Sequence, residues 1–179
     1  KLEMTRAFLR PDMAVLEFGC GTGSTAIAHA PFVKHIQAID VSSKMIEIAQ
    51  RKAAENAIEN VTFRHAAIDR IDIPDCSLDA VLGLNVLHVL ANWQEIPARV
   101  HRMLKPGGVF VSSTMCLGDS MKFLKYVVPI GKALGLMPAV KVFTTGELLS
   151  ALTAAGFKIE KQWQPAKNTP VFIVAKKAG

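Results

Sequence analysis

The chain has 179 residues, of which 50% are hydrophobic and 20% are charged, and its 21 basic and 15 acidic side chains give a net charge of +6. This length and apolar content exclude a disordered or fibrous chain and predict one folded domain over residues 1–179 with a substantial core. The basic residues are scattered and are not interleaved with aromatics, so nucleic acid is not expected as a partner. The three cysteines are odd in number and lack metal-ligand spacing, which favours free thiols in a reducing, cytoplasmic setting over a disulfide framework or a zinc site.

The N-terminal part of the chain predicts a buried strand that runs into a glycine-rich loop. A short helix is expected over residues 2–9, and the apolar run over residues 13–18 is typical of a strand covered on both faces. Gly19, Gly21 and Gly23 then follow at alternate positions. Glycine is required where the backbone adopts a positive φ, or where a ligand comes so close that a Cβ atom would collide with it. The loop therefore predicts a site for a nucleoside-containing cofactor.

Glu17, just before this loop, indicates the charge of that cofactor. A carboxylate at this position would repel a pyrophosphate and attract an ammonium or sulfonium group. The loop spacing agrees, because a dinucleotide-binding fingerprint has its third glycine one residue later, where Ser24 stands. We therefore expect a cationic cofactor in place of a phosphorylated one.

The next elements continue an alternation of helices and strands. A helix is expected over residues 24–30, closed by Pro31, and an apolar strand over residues 36–39 ends in Asp40. A carboxylate at the carboxyl end of a parallel strand is placed to accept hydrogen bonds from both hydroxyls of a ribose. Asp40 is therefore the predicted ribose-binding residue.

The remaining elements follow from helix caps, turns and apolar runs. A helix capped by Ser42 or Ser43 is expected over residues 44–55. Two more helices are expected to begin at capping boxes, one formed by Asn92 and Glu95 and the other by Thr144 and Glu147. Further strands are expected over residues 61–64, 79–84, 109–113, 157–160 and 171–175. The Lys-Pro-Gly-Gly sequence at residues 105–108 is expected to end the second of these helices. The short link between the last two strands permits only an antiparallel hairpin. Strands that are each followed by a helical stretch predict parallel pairing in a doubly wound α/β layer sandwich.

Four segments of the chain resemble motifs of the class I S-adenosylmethionine-dependent methyltransferases. They are LEFGCGTG at residues 16–23, AIDVSSKMIEIAQ at 38–50, DCSLDAVLGLNVLHVL at 75–90 and LKPGGVF at 104–110, and they occur in the family's order. The resemblance implies a three-layer Rossmann-like sandwich around a seven-stranded, mostly parallel sheet of order 3-2-1-4-5-7-6, with an antiparallel C-terminal strand. It also implies S-adenosylmethionine as cofactor and S-adenosylhomocysteine as product.

The resemblance assigns roles to particular residues. Glu17 would contact the methionine ammonium through water, and Asp40 would bind the ribose hydroxyls. Val41 and Met45 would pack against adenine, although Met45 fits a core position nearly as well. The backbone of the loop would line the methionine and ribose, and the end of the fourth strand would lie near the methyl group, so the set is completed by Phe18, Gly19, Cys20, Gly21, Thr22, Gly23, Leu84 and Asn85.

The chain departs from the family at the adenine edge. The family has Gly-Asp-Ala where Ala66-Ala67-Ile68 stands, so one acidic contact is missing. Main-chain donors and acceptors of Ala67 and Ile68 are expected to read the ring edge instead. Asp69 comes two residues too late for this role and is expected to be a solvated loop acid.

His88 is the best candidate for a catalytic base. Methyl transfer from a sulfonium is an in-line displacement that depends mainly on positioning, so a base is optional. His88 follows the fourth strand and is a residue type that titrates near neutrality, although a histidine in such a place is commonly hydrogen-bonded packing. No Pro-Pro-aromatic sequence follows Asn85, which disfavours amide and exocyclic amine acceptors, and no histidine has an acidic partner at metal-ligand spacing. Metal dependence is therefore not expected.

The segment over residues 115–143 is longer than a strand-to-helix link requires. Its apolar residues are interrupted by lysines, glycines and prolines, which argues against a transmembrane segment. Three interpretations stay open for it: a helix that covers the core, a cover over an apolar substrate, and peripheral contact with a membrane surface.

The sequence thus predicts a soluble, cytoplasmic S-adenosylmethionine-dependent methyltransferase that acts on a small, partly apolar molecule at oxygen, nitrogen or carbon. An NAD(P)-dependent oxidoreductase is an alternative, which the loop spacing, Glu17 and the terminal hairpin disfavour. A protein that binds the cofactor without turnover is a second alternative. The acceptor, the oligomeric state and whatever precedes Lys1 are left open by the sequence.

Overall fold

Helices and strands alternate along the described part of the chain, which the computed structural model gives as residues 2–119, 141–166 and 168–179. The strands are β1 (Ala14–Phe18), β2 (His35–Asp40), β3 (Val61–His65), β4 (Leu78–Leu84), β5 (Leu104–Thr114), β6 (Phe157–Trp163) and β7 (Val171–Lys177). The α-helices are α1 (Leu2–Arg6), α2 (Ser24–His29), α3 (Ser43–Glu55), α4 (Ile96–Met103) and α5 (Thr145–Ala154).

The strands form one seven-stranded sheet in the order β3-β2-β1-β4-β5-β7-β6. The first five strands pair in parallel, whereas β7 runs antiparallel to both β5 and β6. The sheet order and the antiparallel C-terminal hairpin confirm the expectation drawn from the family resemblance.

Both faces of the sheet are covered, because successive strand residues enter different cores. Val15 and Leu82 belong to one cluster of buried side chains, while their neighbours Leu16 and Val81 belong to the other. Alternation of side chains across a strand produces this division. The continuous apolar strands of the sequence are thereby explained, and the three-layer α/β architecture is confirmed.

Two predicted helix caps are present in the structure. The side chain of Ser42 accepts a hydrogen bond from the backbone of Met45 and caps α3. Thr144 and Glu147 form the reciprocal capping box of α5. Each cap satisfies backbone donors that the first turn of a helix leaves without a partner.

The capping box predicted at Asn92 and Glu95 is wrong. The Asn92 side chain makes no capping hydrogen bond, and a 3-10 turn over Trp93–Glu95 precedes α4. Pro97 lies in the first turn of α4, where a residue without an N–H group is best tolerated, and this moves the start of the helix beyond the expected cap. Trp93 still packs inward and is only 4% exposed.

Other element boundaries also differ from the predictions. Helix α1 is shorter than residues 2–9, and Pro31 does not close a helix but lies in a 3-10 turn, Ala30–Phe32, that continues from α2. Residues 105–108 belong to β5, in a register shift opposite the start of β4. The connection between β3 and β4 contains no helix, so the expectation of a helical stretch after every strand is wrong there.

Most of the segment predicted as an insertion, residues 115–143, lies outside the described residues. At its C-terminal end Phe143 is buried and stacks on Trp93, with 4.1 Å between ring centroids. This contact fixes the chain where it enters α5. In the part of the chain that the structure describes, no helix has both the length and the apolarity needed to cross a membrane.

Candidate functional site

The glycine loop between β1 and α2 is left-handed at each of its three glycines. The φ angles are +68° at Gly19, +53° at Gly21 and +73° at Gly23, and only glycine adopts such angles without strain. A Cβ atom on Gly19 would lie 2.4 Å from Cγ2 of Val86, and one on Gly23 would lie 2.7 Å from Cε1 of Phe63. A Cβ atom on Gly21 would meet nothing within 4 Å. Gly19 and Gly23 therefore serve packing, whereas Gly21 borders open space.

Asp40 ties this loop to the end of β2. One carboxylate oxygen accepts a hydrogen bond of 2.8 Å from the backbone N–H of Gly21, and the other accepts one of 2.9 Å from the N–H of Ser42. Each carboxylate oxygen has two lone-pair sites, so acceptor capacity remains on both oxygens. The side chain is thus held in one orientation and can still accept hydrogen bonds from a ligand.

A cavity of about 380 Å³ opens beside Asp40. It lies at the carboxyl ends of β1, β2 and β4, the place where open parallel sheets bind ligands, and its size falls within the range of small-molecule sites. Its walls are mostly apolar, with the Asp40 carboxylate and the Asn85 amide as polar groups. The lining residues are Phe18, Gly19, Ile39, Asp40, Val41, Ala66, Ile68, Asn85, Val86, Val89 and Leu90.

Glu17 lies in β1, opposite Ala38 and Leu82 in the sheet register, and is only 2% exposed. It is not among the residues that line the cavity. Glu17 nonetheless lies near the glycine loop, because after burial it is the next cause that raises the pKa of the Cys20 thiol, followed by Asp40. Two carboxyl groups thus lie close to the loop, and the negative charge expected there stays a prediction.

Cys20 is a buried thiol within the loop. Burial is the main cause that raises its pKa to about 12, and the two carboxylates add to the effect. A thiol with this pKa stays protonated near neutral pH and is a poor nucleophile. The side chains of Cys20, Cys76 and Cys116 are all free, which agrees with the expectation of three free thiols.

Val41 and Met45 form an exposed apolar rim where the chain leaves β2. Their exposed fractions are 67% and 38%, which is high for side chains of this size. Val41 lines the cavity, whereas Met45 is not among its lining residues. The exposure of Met45 contradicts the alternative that it is a core residue.

The loop that follows β3 carries the predicted adenine edge. Ile68 lines the cavity and is 4% exposed, but Ala67 is not a lining residue. The carbonyl of Ala67 already accepts the amides of Arg70 and Ile71, and the carbonyl of Ile68 accepts a hydrogen bond from Nε of Arg99. One lone pair of the Ile68 carbonyl is thereby used, and a role of these main-chain groups at the ring edge stays a prediction.

Asn85 follows β4 in a strained turn at the cavity wall. Its φ of +62° is unusual for a residue other than glycine. Its backbone N–H donates to the carbonyl of Ser113 at 2.6 Å, and its side-chain oxygen accepts from the Ser113 hydroxyl at 3.3 Å. These bonds to β5 hold the turn, while the preceding residue, Leu84, is buried in the core and does not line the cavity.

His88 lies in a 3-10 turn, Leu87–Val89, between residues that line the cavity. Its own side chain is half-buried and directed to the end of β5, where Nδ1 is 3.1 Å from the hydroxyl oxygen of Thr114. Burial lowers the pKa of His88 below its ordinary value, so the imidazole is neutral at pH 7. The structure therefore gives a neutral imidazole near the cavity, but His88 is not one of the described residues that line it.

Two basic residues that sequence reasoning missed hold the loops of the site. Nζ of Lys52, on α3, is 2.8 Å from the hydroxyl of Ser24 and 3.4 Å from that of Thr22. Arg99, on α4, donates to the carbonyls of Ile68 and Ile71. Lys52 has no distinctive sequence signal, but Arg99 has one, because it occupies the same helix face as the buried residues of α4.

No group of three or more His, Cys, Asp or Glu side chains within the described residues is placed to hold a metal ion. The arrangement at the cavity offers instead a bare loop backbone, a fixed carboxylate and an apolar wall. Such a set can bind a ligand that combines hydroxyl groups, an apolar ring and a positive charge.

Comparison with known proteins identifies related sequences and folds. The methyltransferase domain model matches residues 15–108, which is more than half of the chain. The uncharacterized methyltransferase YcgJ of Bacillus subtilis is 31% identical over 110 residues, covering 62% of this chain and 44% of YcgJ. A probable S-adenosylmethionine-dependent methyltransferase of Mycolicibacterium smegmatis is 27% identical over 147 residues, covering 82% of this chain and 52% of that protein. The chain thus spans about half the length of these two relatives.

The fold is shared with solved structures over almost the whole chain. The geranyl diphosphate C-methyltransferase of Streptomyces coelicolor, solved with Mg²⁺, geranyl diphosphate and S-adenosyl-L-homocysteine, superimposes with a TM-score of 0.80 at 17% identity and covers 99% of this chain and 78% of its own. At this identity the likeness concerns the fold alone. With its family match over residues 15–108, the chain belongs to the methyltransferase domain family.

Proposed function

We propose that this chain binds S-adenosylmethionine in the cavity beside Asp40 and transfers its methyl group to a small, partly apolar acceptor at oxygen, nitrogen or carbon. The observation that carries the proposal is the orientation of the Asp40 carboxylate, held by the amides of Gly21 and Ser42 at the wall of that cavity. Membership of the methyltransferase domain family supports it. S-adenosylhomocysteine is the product that would remain.

The proposed cofactor contacts follow the polarity of the cavity. The remaining acceptor sites of Asp40 bind the two ribose hydroxyls. The loop backbone over residues 18–23 contacts the methionine and ribose, with the open space at Gly21 leaving room for close approach. Val41 and Ile68 contact the adenine ring as apolar walls, and Met45 extends the rim on the Val41 side.

Charge complementarity favours a sulfonium over a phosphate. The Asp40 carboxylate at the cavity, with Glu17 close behind the loop, would attract a cation, and opposite charges attract more strongly in a site partly shielded from water. Glu17 is buried in β1, so it acts on the methionine ammonium at a distance or through water. None of the described residues that line the cavity carries a basic side chain, so the described lining offers no side-chain cation to balance a phosphate.

The protein contributes positioning and exclusion of water. When bound, S-adenosylmethionine supplies an electrophilic methyl carbon, which an acceptor atom attacks in line with the departing sulfur. Leu84 is buried at the end of β4, and the hydrogen bonds between Asn85 and Ser113 hold the turn beside the cavity. Such fixed walls align the reacting atoms and lower the entropic part of the barrier. His88 is neutral at pH 7 and has the protonation state needed to accept a proton from the acceptor.

The acceptor is proposed to be small and partly apolar because apolar side chains line the cavity where it is open to solvent. Val89 is 49% exposed and lines the cavity beside Leu90, and exposed apolar side chains of this kind favour an apolar ligand. The structural neighbour geranyl diphosphate C-methyltransferase was solved in complex with geranyl diphosphate, a partly apolar molecule, which supports the proposal by analogy. We also propose that residues 1–179 form one domain and, from the free thiols, that the protein is cytoplasmic.

Calorimetry with S-adenosylhomocysteine and with NAD tests the cofactor. We expect the first to bind and the second not to bind, and the reverse result would replace the proposal with an NAD-dependent oxidoreductase. A screen for methyl transfer to phenols, amines, quinones and prenylated lipids, with S-adenosylhomocysteine release as readout, then tests turnover. Tight cofactor binding without turnover on any acceptor class would leave a cofactor-binding protein and overturn the enzyme.

A further inference from the structure

We propose that Arg99 is a positioning residue that makes the cofactor cavity selective for adenine, in the loop where the family's acidic residue is replaced by Ala67. This inference rests on the proposed cofactor. It concerns a residue on α4, which is not itself one of the residues that line the cavity. Arg99 acts through the loop that follows β3.

Arg99 joins two carbonyls of that loop through one guanidinium. Its Nε donates to the carbonyl of Ile68 at 2.6 Å, and its Nη2 donates to the carbonyl of Ile71 at 2.5 Å. The donors of a guanidinium lie in one plane at fixed angles. The two carbonyls are therefore held at a fixed distance from each other. Arg99 lies 31 residues after Ile68 and 28 residues after Ile71 in the chain.

The loop needs such a constraint because residues 66–77 contain no helix. A helix would satisfy its own backbone groups, whereas an irregular connection depends on bonds from elsewhere. Ile68 and Ile71 are each 4% exposed, so their backbone carbonyls are partly withdrawn from water. Buried carbonyls of this kind require donors, and charged donors make the stronger hydrogen bonds.

The hydrogen bond from Arg99 also fixes the position of a residue in the cavity wall. Ile68 lines the cavity with its side chain and is bonded to Arg99 through its carbonyl, so movement of the carbonyl moves the wall. A trans peptide points its N–H opposite to its carbonyl. The bond to Arg99 therefore also fixes the direction of the Asp69 N–H, the main-chain donor that follows Ile68. In the proposal this N–H lies beside the base edge and helps to distinguish adenine, since the neighbouring Ile68 lines the cavity.

Helix α4 is a rigid base for this contact. Ile96 is 3% exposed and Val100 is fully buried, and these core residues flank Arg99 in the sequence and pack α4 into the larger apolar cluster. The side chain of Arg99 therefore emerges from a fixed helix and reaches a loop that lacks regular structure. Removal of the guanidinium should loosen the loop without removing the helix.

Calorimetry on the full chain with two ligands tests this assignment: S-adenosylhomocysteine and S-inosylhomocysteine, in which an oxo group replaces the adenine amino group. We expect Arg99→Met to weaken binding of S-adenosylhomocysteine by about tenfold or more, as for loss of a charge-assisted hydrogen bond, and to reduce the preference over the inosine ligand. Arg99→Lys should retain part of the affinity for S-adenosylhomocysteine and part of the preference for it, because lysine keeps the positive charge but lacks the planar guanidinium.

Arg102→Met is the matched control. Arg102 lies three residues further along α4, is exposed, and makes no side-chain hydrogen bond to the loop among the described residues. Its replacement should leave affinity and preference unchanged. Thermal unfolding of each variant reports general destabilisation, and if Arg99→Met does not fold, Arg99→Lys carries the comparison.

The outcomes separate the two proposals. If the wild-type protein fails to bind S-adenosylhomocysteine, the proposed function is wrong, whatever the variants do. If the wild type binds and the Arg99 variants keep its preference for adenine, Arg99 is only a structural residue and the inference is overturned. A reduced preference that Arg99→Lys partly restores would establish the positioning role.

Discussion

The carboxylate of Asp40 accepts a hydrogen bond of 2.8 Å from the backbone N–H of Gly21, across 19 positions of the chain. This bond joins the end of β2 to the middle of the loop after β1. Gly21 has a left-handed backbone with a φ of +53°, and its amide is directed at the strand end. One contact thus orients both the proposed ribose-binding group and the loop that would contact the rest of the cofactor.

Replacement of Asp40 by alanine should weaken S-adenosylhomocysteine binding by about 1.5 to 3 kcal/mol, which corresponds to roughly 10- to 150-fold in Kd. The loss combines the proposed ribose hydrogen bonds with the freed amides of Gly21 and Ser42. Calorimetry measures the change. Asp69→Ala is the control, because Asp69 is an exposed loop acid outside the cavity lining. Equal affinity of wild type and Asp40→Ala would remove Asp40 from the site.

The glycines of the loop should respond differently to alanine. Gly21→Ala should cost about 1 to 2 kcal/mol of folding stability from backbone strain alone, and it should weaken cofactor binding because its Cβ enters open space at the loop. Gly19→Ala should cost more, since its Cβ would also overlap Val86. Denaturant unfolding and calorimetry on both variants distinguish the effects, and a larger loss of stability at Gly21 than at Gly19 would contradict this assignment.

Local sequence patterns predicted the parts of the fold that depend on local contacts. Thr144 and Glu147 are three residues apart and form the expected capping box. The same spacing at Asn92 and Glu95 failed, because Pro97 fixed the start of α4 at a later residue. The sheet order came from the family resemblance, since neither periodicity nor spacing specifies which strands become neighbours.

The site was predictable to the extent that its residues lie at strand ends. Asp40 was found because it ends a strand, and the glycine loop because its spacing is visible in the sequence. Arg99 was missed, since its partners Ile68 and Ile71 lie 31 and 28 residues away. The contact of His88 with Thr114 is likewise formed across 26 positions. Contacts at such separations depend on the tertiary fold.

Thiol labelling should give one fast-reacting cysteine in the native protein at pH 8. Cys76 is exposed, whereas burial raises the pKa of Cys20 to about 12 and that of Cys116 to about 11. Only a thiolate reacts rapidly, so these two thiols should react only after unfolding. The test is titration with a thiol reagent, and Cys76→Ser should abolish the fast phase. Rapid labelling of native Cys20 would show that the loop is more open than the structure indicates.

Asp79 should make folding stability depend on pH in the acid range. Burial alone would raise its pKa, but hydrogen bonds from Lys105 and the Ala14 amide outweigh this and hold the pKa below its ordinary value of 3.8. The stabilisation is therefore present above 3.8 and is lost as pH falls through the lower folded-state pKa. Asp79→Asn should lower the free energy of unfolding at pH 7 by about 1 to 3 kcal/mol. It should also make the free energy of unfolding depend less on pH in the acid range. Asp12→Asn, at an exposed ion pair with Arg10, should do neither.

His88→Ala should lower turnover more than cofactor affinity, by about 100-fold or more if the imidazole accepts a proton from the acceptor. Because burial lowers the pKa of His88 below its ordinary value of 6.5, the basic form persists at mildly acid pH. The rate of the wild type should therefore fall only below pH 6.5, and the variant should lose this acid limb. His35→Ala, at the opposite end of β2, is the control. Steady-state rates across pH on an acceptor found by screening measure the effect. Equal rates for wild type and His88→Ala would assign His88 to packing against Thr114.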